Sequence, residues 1–228
     1  MKILHLYPNL MNLYGDYGNV SILVKHLKDQ GLRVQVDTRE LNELINFEKY
    51  DFIYMGSGTI SNQLTALNDL LKYQYQIKKY IESDKLMLLT GNAMEVLGKR
   101  IGDTTGLEIM NFSSELSDKR YTGDVILHND DIGDVVGFIN RSSIVVDADE
   151  YKLFDYVFKD NNLIDNYYEG YRYHNVFGSH VIGPLLVKNP NFLEYLIRLI
   201  VKDNYKNISY PYEAAAYTKT LTELRKRK

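Results

Sequence analysis

The side chains best suited to moving a proton near neutral pH are five histidines, His5, His26, His128, His174 and His180, and the 228 residues include no cysteine. Without cysteine there is no thiol nucleophile, no disulfide and no thiolate metal ligand. The histidines show no metal-ligand spacing, so no metal or other cofactor is expected; His128 with Asp130 and Asp131 is the one cluster that a fold could close around a cation. Ser179-His180 places a hydroxyl beside an imidazole, but neighbours on a strand point to opposite faces, so neither easily activates the other. Gly15-Asp16-Tyr17-Gly18-Asn19 lies between an apolar run and a helical pattern, where a phosphate loop would sit. It lacks G-x-G-x-x-G spacing and a following lysine, so a glycine turn that caps the next helix is the plainer reading. Arg120 precedes an apolar alternation; its planar guanidinium either receives a carboxylate or lies on the surface.

The elements that must position these residues read as an α/β fold. Lys2–Tyr7, Arg33–Asp37, Asp51–Met55 and Lys85–Thr90 have strand character, and the last is a near-continuous apolar run suited to burial on both faces. Between them, Asn19–Gln30 and about Ile60 to Ser83 carry apolar residues at helical spacing, with Gly31 at a C-cap position. Strand and helix alternating in this way predict a parallel sheet with right-handed crossovers. Further on, Tyr121–His128, Val135–Ile139, Ile144–Val146 and Val176–Ile182 are short strand candidates, and Pro190–Lys202 and Tyr212–Lys226 are helical. Asp147–Glu169, rich in Tyr, Asp and Asn, carries no assignable period. We expect one domain over residues 1–205, with residues 206–228 a helical extension of it.

Composition narrows the function. A net charge of −3 disfavours a general nucleic-acid binder. No apolar run approaches the roughly 18 residues of a membrane-spanning helix, and the opening MKILHLYPNL turns polar too soon for a secretory signal, so a cytoplasmic location is expected. The closing cations Arg225, Lys226, Arg227 and Lys228 suit either an acidic partner or a solvated helix end. The 20 tyrosines suit either a partner surface or ordinary packing.

Four segments in register over about residues 4 to 200 carry a resemblance. They are Asn12-Leu13-Tyr14-Gly15-Asp16-Tyr17-Gly18-Asn19 within Leu6–Asn19; Gly56-Ser57-Gly58 with Gln63; Arg120-Tyr121-Thr122-Gly123-Asp124 with Gly137-Phe138-Ile139-Asn140; and Glu169–Ser179 leading into Gly183-Pro184. They are similar to N-L-Y-G-D-x-G-N, G-G-G…E-Q, R-x-x-G-D with G-F-E-N, and the closing segment of the class I glutamine amidotransferases of the cobyric acid synthase (CobB/CobQ-like) type, most of all the GatD-type subunits of lipid II isoglutaminyl synthases. The resemblance implies a flavodoxin-like three-layer fold with a mainly parallel sheet. It also implies a cysteine on a tight strand-to-helix turn, activated by a later histidine, that hydrolyses glutamine. Leu89–Gly98 resembles the turn pattern C-G-G-x-Q-x-L-G and puts Gly91 at the nucleophile; Gly178–Pro184 resembles G-[ST]-Y-x-H-G-P and puts Ile182 at the base. Neither can act, so glutamine hydrolysis is expected to be absent. Glu95 stands for the glutamine of the turn pattern, where a carboxylate in a first helical turn is favourable in itself. Asn140-Arg141-Ser142-Ser143 keeps only the asparagine of N-H-x-G-R-T. Arg120 matches an arginine that holds the charged end of glutamine, and Gly58, Asn92 and His180 complete the expected binding set, with His180 on the face of Ile182 if the strand is regular. By resemblance the partner is a Mur ligase-like (MurT-like) synthetase subunit of peptidoglycan amidation, and the alternative is a module that binds an amino acid in the emptied pocket.

Overall fold

The computed structural model describes residues 1–227. Its first half runs β1 (Lys2–Leu6), α1 (Tyr17–Asp29), β2 (Gln35–Arg39), β3 (Phe52–Met55), α2 (Ile60–Leu70), α3 (Gln74–Glu82) and β4 (Leu86–Thr90). Its second half runs β5 (Arg100–Ile101), β6 (Thr104–Thr105), β7 (Ser113–Asn129), β8 (Gly133–Val146), β9 (Lys152–Lys159), β10 (Tyr168–Tyr173), β11 (Val176–Ser179), β12 (Val181–Ile182), α4 (Leu185–Lys188), α5 (Pro190–Val201) and α6 (Pro211–Arg225).

Strands β2, β1, β3, β4 and β11 lie side by side in that order and all parallel. This is the flavodoxin-like order 2-1-3-4-5, and the fold is the α/β class expected. Every residue of β3 and β4 is buried, as a sheet covered on both faces requires. Two apolar clusters fill the two sides. One gathers Leu4, Leu67, Ile77 and Tyr171, and the other gathers Leu23, Phe52, Phe177, Phe192 and Leu196.

Beyond β11 the sheet continues antiparallel through β10, β9, β7, β8 and β12. The short strand candidates of this region are parts of two long strands, β7 and β8, with a register shift between Leu116 and Tyr121. Asp147–Glu169 contains β9, whose adjacent Leu153 and Phe154 are both buried, which erases the period of two. The expected long helix is two, α2 and α3, separated by a turn over Leu71–Tyr73. That turn brings buried Tyr73 inward, with its hydroxyl near Ile45 N and Glu43 O. Val176–Ile182 likewise divides at His180, because β11 pairs with β4 and β12 with β8.

Helix α6 lies against β7, β8 and α4, with Tyr217, Leu221 and Leu224 on Ile126 and Val136. Its closing cations meet acids of the same chain: Arg225 pairs with Asp134, Lys226 with Glu223, and Arg227 with Asp124 and Asp160. Lys228 lies outside the described residues. The tyrosines are largely packing groups, with Tyr7, Tyr54, Tyr80 and Tyr171 fully buried. No described helix is long and apolar enough to cross a membrane.

Candidate functional site

The parallel strands end at a cavity of about 470 Å³, where flavodoxin-like sheets place their ligands. Strand β4 enters it through a tight turn at Gly91, whose φ of +59° is the left-handed backbone that favours glycine. A short 3-10 helix over Gly91–Leu97 follows. A Cβ added at Gly91 would overlap the Ser57 side chain and stand 3.3 Å from Ile182 Cγ2. The space in front of the turn is therefore filled by Ser57, which follows β3. The opposite wall is Ile182, an aliphatic group with no proton to exchange.

Ser57 is fixed from below. Asp16 Oδ2 accepts from Ser57 N (2.7 Å), Ser57 Oγ (2.9 Å) and Thr90 Oγ1 (3.1 Å). Tyr54 and Asn19 extend this chain, with Tyr54 Oη 2.7 Å from Thr90 Oγ1 and Asn19 Nδ2 donating to Tyr54 Oη (2.8 Å). The Gly15–Asn19 turn thus delivers a fully buried carboxylate to the elbow, the wrong charge for a phosphate. Burial raises the Asp16 carboxyl, and the hydrogen bonds from Ser57 and Thr90 oppose that shift.

Arg120, Gly58 and Asn92 all line the cavity with Gly91 and Ile182. Arg120 is exposed at its mouth; Nη1 donates to Asn140 Oδ1 (2.5 Å), and Asn140 Nδ2 donates to Tyr14 Oη (3.0 Å). Gly58 N donates to Asn92 Oδ1 (3.0 Å), and a Cβ at Gly58 would collide with Met11 Sδ.

His180 is not among the lining residues. The break between β11 and β12 turns it away from Ile182, so the shared face of a regular strand does not form. It lies behind Glu95, with Nε2 3.1 Å from Glu95 Oε1, and Arg141 Nη1 lies 2.7 Å from its Nδ1. Glu95 Oε1 also accepts from Ser143 Oγ (2.5 Å) and Oε2 from Gln63 Nε2 (3.1 Å). Glu169 Oε1 accepts from His180 N (2.7 Å) and Ser179 Oγ (3.3 Å). Burial alone would raise both carboxyls, but the bonds and charge of His180 outweigh it. Glu95, helped by Ser143 and Gln63, is held below the usual range, and Glu169, helped by Arg141, is held at about 2. The first-turn reading of Glu95 thus misses its main role, which is to anchor a buried polar network. His128 pairs with Asp134 and Asp130 at the surface, away from this cavity.

The model of the CobB/CobQ-like glutamine amidotransferase domain matches residues 2–190. The chain belongs to this family. It is 30% identical over 213 residues to the GatD subunit of lipid II isoglutaminyl synthase (glutamine-hydrolysing) from Streptococcus pneumoniae R6, covering 90% of this chain and 82% of that one. It is 30% identical over 202 residues to the GatD subunit from Staphylococcus aureus N315, covering 86% and 83%. Among solved structures, one glutamine amidotransferase aligns at a TM-score of 0.59 and 15% identity over 86% of this chain and 97% of that one. Another, from Thermotoga maritima, aligns at 0.53 and 11% over 99% and 92%. These two likenesses support the fold.

Within the glutamine amidotransferase family, the cavity is where the sequence patterns converge. Ser57, Glu95, Arg141 and Ser143 line it without having been named as site residues, and Asp16 holds Ser57 from beneath. All of them stand in the quoted segments, and all but Asp16 depart there from the family pattern. Ser57 interrupts the family's G-G-G, and Arg141 replaces the histidine of N-H-x-G-R-T.

Proposed function

We propose that this chain is a non-hydrolysing member of the glutamine amidotransferase family, a subunit that docks a Mur ligase-like synthetase of lipid II amidation. The observation that carries this reading is the elbow. Gly91 keeps the left-handed turn of a nucleophile, Ser57 occupies the space a nucleophile's side chain would need, and Ile182 faces it from the base position. Acyl transfer from an amide requires an attacking atom and a group to take its proton. Gly91 offers no side chain to attack with and Ile182 no proton acceptor, which supports the reading. Likeness to two GatD subunits over most of their length supports the assignment to lipid II amidation and to a two-subunit enzyme. Such a synthetase would take free ammonia.

The test has two arms. Purified protein incubated with glutamine should release no ammonia above a blank, and pull-down from its native host should recover a Mur ligase-like protein. Ammonia release that is lost in Ser57→Ala or His180→Ala would refute the first part, and recovery of no synthetase would refute the second.

A second reading, a small-molecule binding module, is favoured by one observation. The cavity keeps Arg120 and a volume suited to a small metabolite, although the turn beneath it carries no nucleophile.

A further inference from the structure

Helices α4 and α6 and strand β8 line a second groove, of about 560 Å³, which shares no lining residue with the elbow cavity. Its apolar groups are the buried Val136 and Leu224, with Val187 on α4 and Ala216 on α6. Val187 is 45% exposed and Ala216 is exposed too, so aliphatic surface lies open to water here.

Most polar side chains along the groove are already engaged. Asp124 pairs with Arg227 and Glu223 with Lys226. The Tyr217 hydroxyl donates to Asp134 O (2.7 Å) and the Thr220 hydroxyl to Ala216 O (2.9 Å). Two ammoniums remain. Lys188 at the end of α4 and Lys219 on α6 both line the groove, and neither has an ion pair among the described residues. The Lys188 side chain is exposed along its length, but its Nζ lies only 3.6 Å from where a Cβ on Gly183 would stand. Burial there lowers the ammonium below the ordinary lysine range, against the attraction of Asp124 and Asp16. A partly desolvated cation without an acceptor is stabilised by an anion brought to it. A compact polar anion would leave the aliphatic surface wet, and a neutral apolar molecule would leave Lys188 unpaired. A ligand with an aliphatic body and an anionic head satisfies both.

We propose that the α4–α6 groove binds a medium-chain aliphatic carboxylate, its chain on Val136, Val187, Ala216 and Leu224 and its head on Lys188, with Lys219 adding positive charge. This site goes beyond the proposed function and is independent of whether the elbow hydrolyses glutamine.

Calorimetry on the full chain tests it with decanoate, decanol, decyltrimethylammonium and acetate, each kept below micelle formation. Decanoate should bind at least about tenfold more tightly than the alcohol or the ammonium, a margin of one unit in log Kd, and acetate should give no heat. Lys188→Met should bring decanoate to the level of decanol. Ala216→Phe, which fills the groove from an exposed position, should weaken both by about tenfold or more. The proposal is overturned by equal binding of decanoate and decanol, by no heat with decanoate, or by an unchanged decanoate affinity in either folded variant. Capture by phosphatidylglycerol vesicles without decanoate binding would assign the face to a membrane surface and also overturn it. Should a variant not fold, the four-ligand comparison on the native chain decides alone.

Discussion

At the scale of single residues, Gly91 and Ser57 are one structural decision rather than two. The turn imposes φ of +59° at residue 91, and Ser57 fills what a side chain there would claim. Gly91→Cys should therefore destabilise the protein by about 2 kcal/mol or more, from overpacking and left-handed strain together. Adding Ser57→Gly should recover at least about 1 kcal/mol of it, a coupling that a urea double-mutant cycle reads directly. Additive losses would show that the two side chains do not compete. Glu169 gives a prediction of a different kind. Its folded value is about 2 against an ordinary 4.5, so the folded state binds fewer protons between those values. Its stabilisation is complete above about pH 4.5 and disappears as pH falls toward 2. Glu169→Gln should cost about 3–5 kcal/mol at neutral pH, by removing the buried negative charge that faces His180 and Arg141. It should also flatten the acid limb of the stability curve in that window, and an unchanged limb would contradict the assignment. Positions 91 and 182 were legible in the sequence because neighbouring motif residues fix their register. His180 was not, because a regular strand was assumed where the chain changes partners.

At the scale of elements, the parallel half was legible because its central strands β3 and β4 are buried on both faces and read as uninterrupted apolar runs. The antiparallel half was not. Strands β7 and β8 alternate buried and half-buried positions irregularly, and the shift between Leu116 and Tyr121 breaks the period where a pattern would be sought. Helix α6 differs from both halves in what holds it. Its apolar contact runs through Tyr217, Leu221 and Leu224, the Tyr217 hydroxyl donates to Asp134 O, Glu213 meets His26 and Lys25, and Arg225 and Arg227 add exposed ion pairs that salt screens. Raising NaCl from about 0.05 to 0.5 M should speed amide exchange in α6 about twofold or more while leaving β3 and β4 unchanged. Exchange in α6 that ignores salt would assign its docking to the apolar contacts, the Tyr217 hydrogen bond and the partly buried Glu213–His26 contact.

At the scale of the molecule, the chain has the fold of a glutamine amidotransferase, with Gly91 and Ile182 at the elbow of its cavity. A synthetase partnered with this chain should amidate its substrate when given ammonium chloride and should not when given glutamine. Product formation followed by mass spectrometry decides this, and equal turnover with glutamine would restore the chain to the hydrolases. On the proposed non-hydrolysing reading, the Ser57 contact then bears on whether that state is reversible. Introduced first, Gly91→Cys meets Ser57. Introduced first, Ser57→Gly removes a hydroxyl that Asp16 uses and leaves a void. Introduced first, Ile182→His puts a polar ring into a wall that is 3% exposed. On that reading each of these single changes loses stability before any hydrolysis could be gained, so the serine acts as a ratchet against taking any one of them alone.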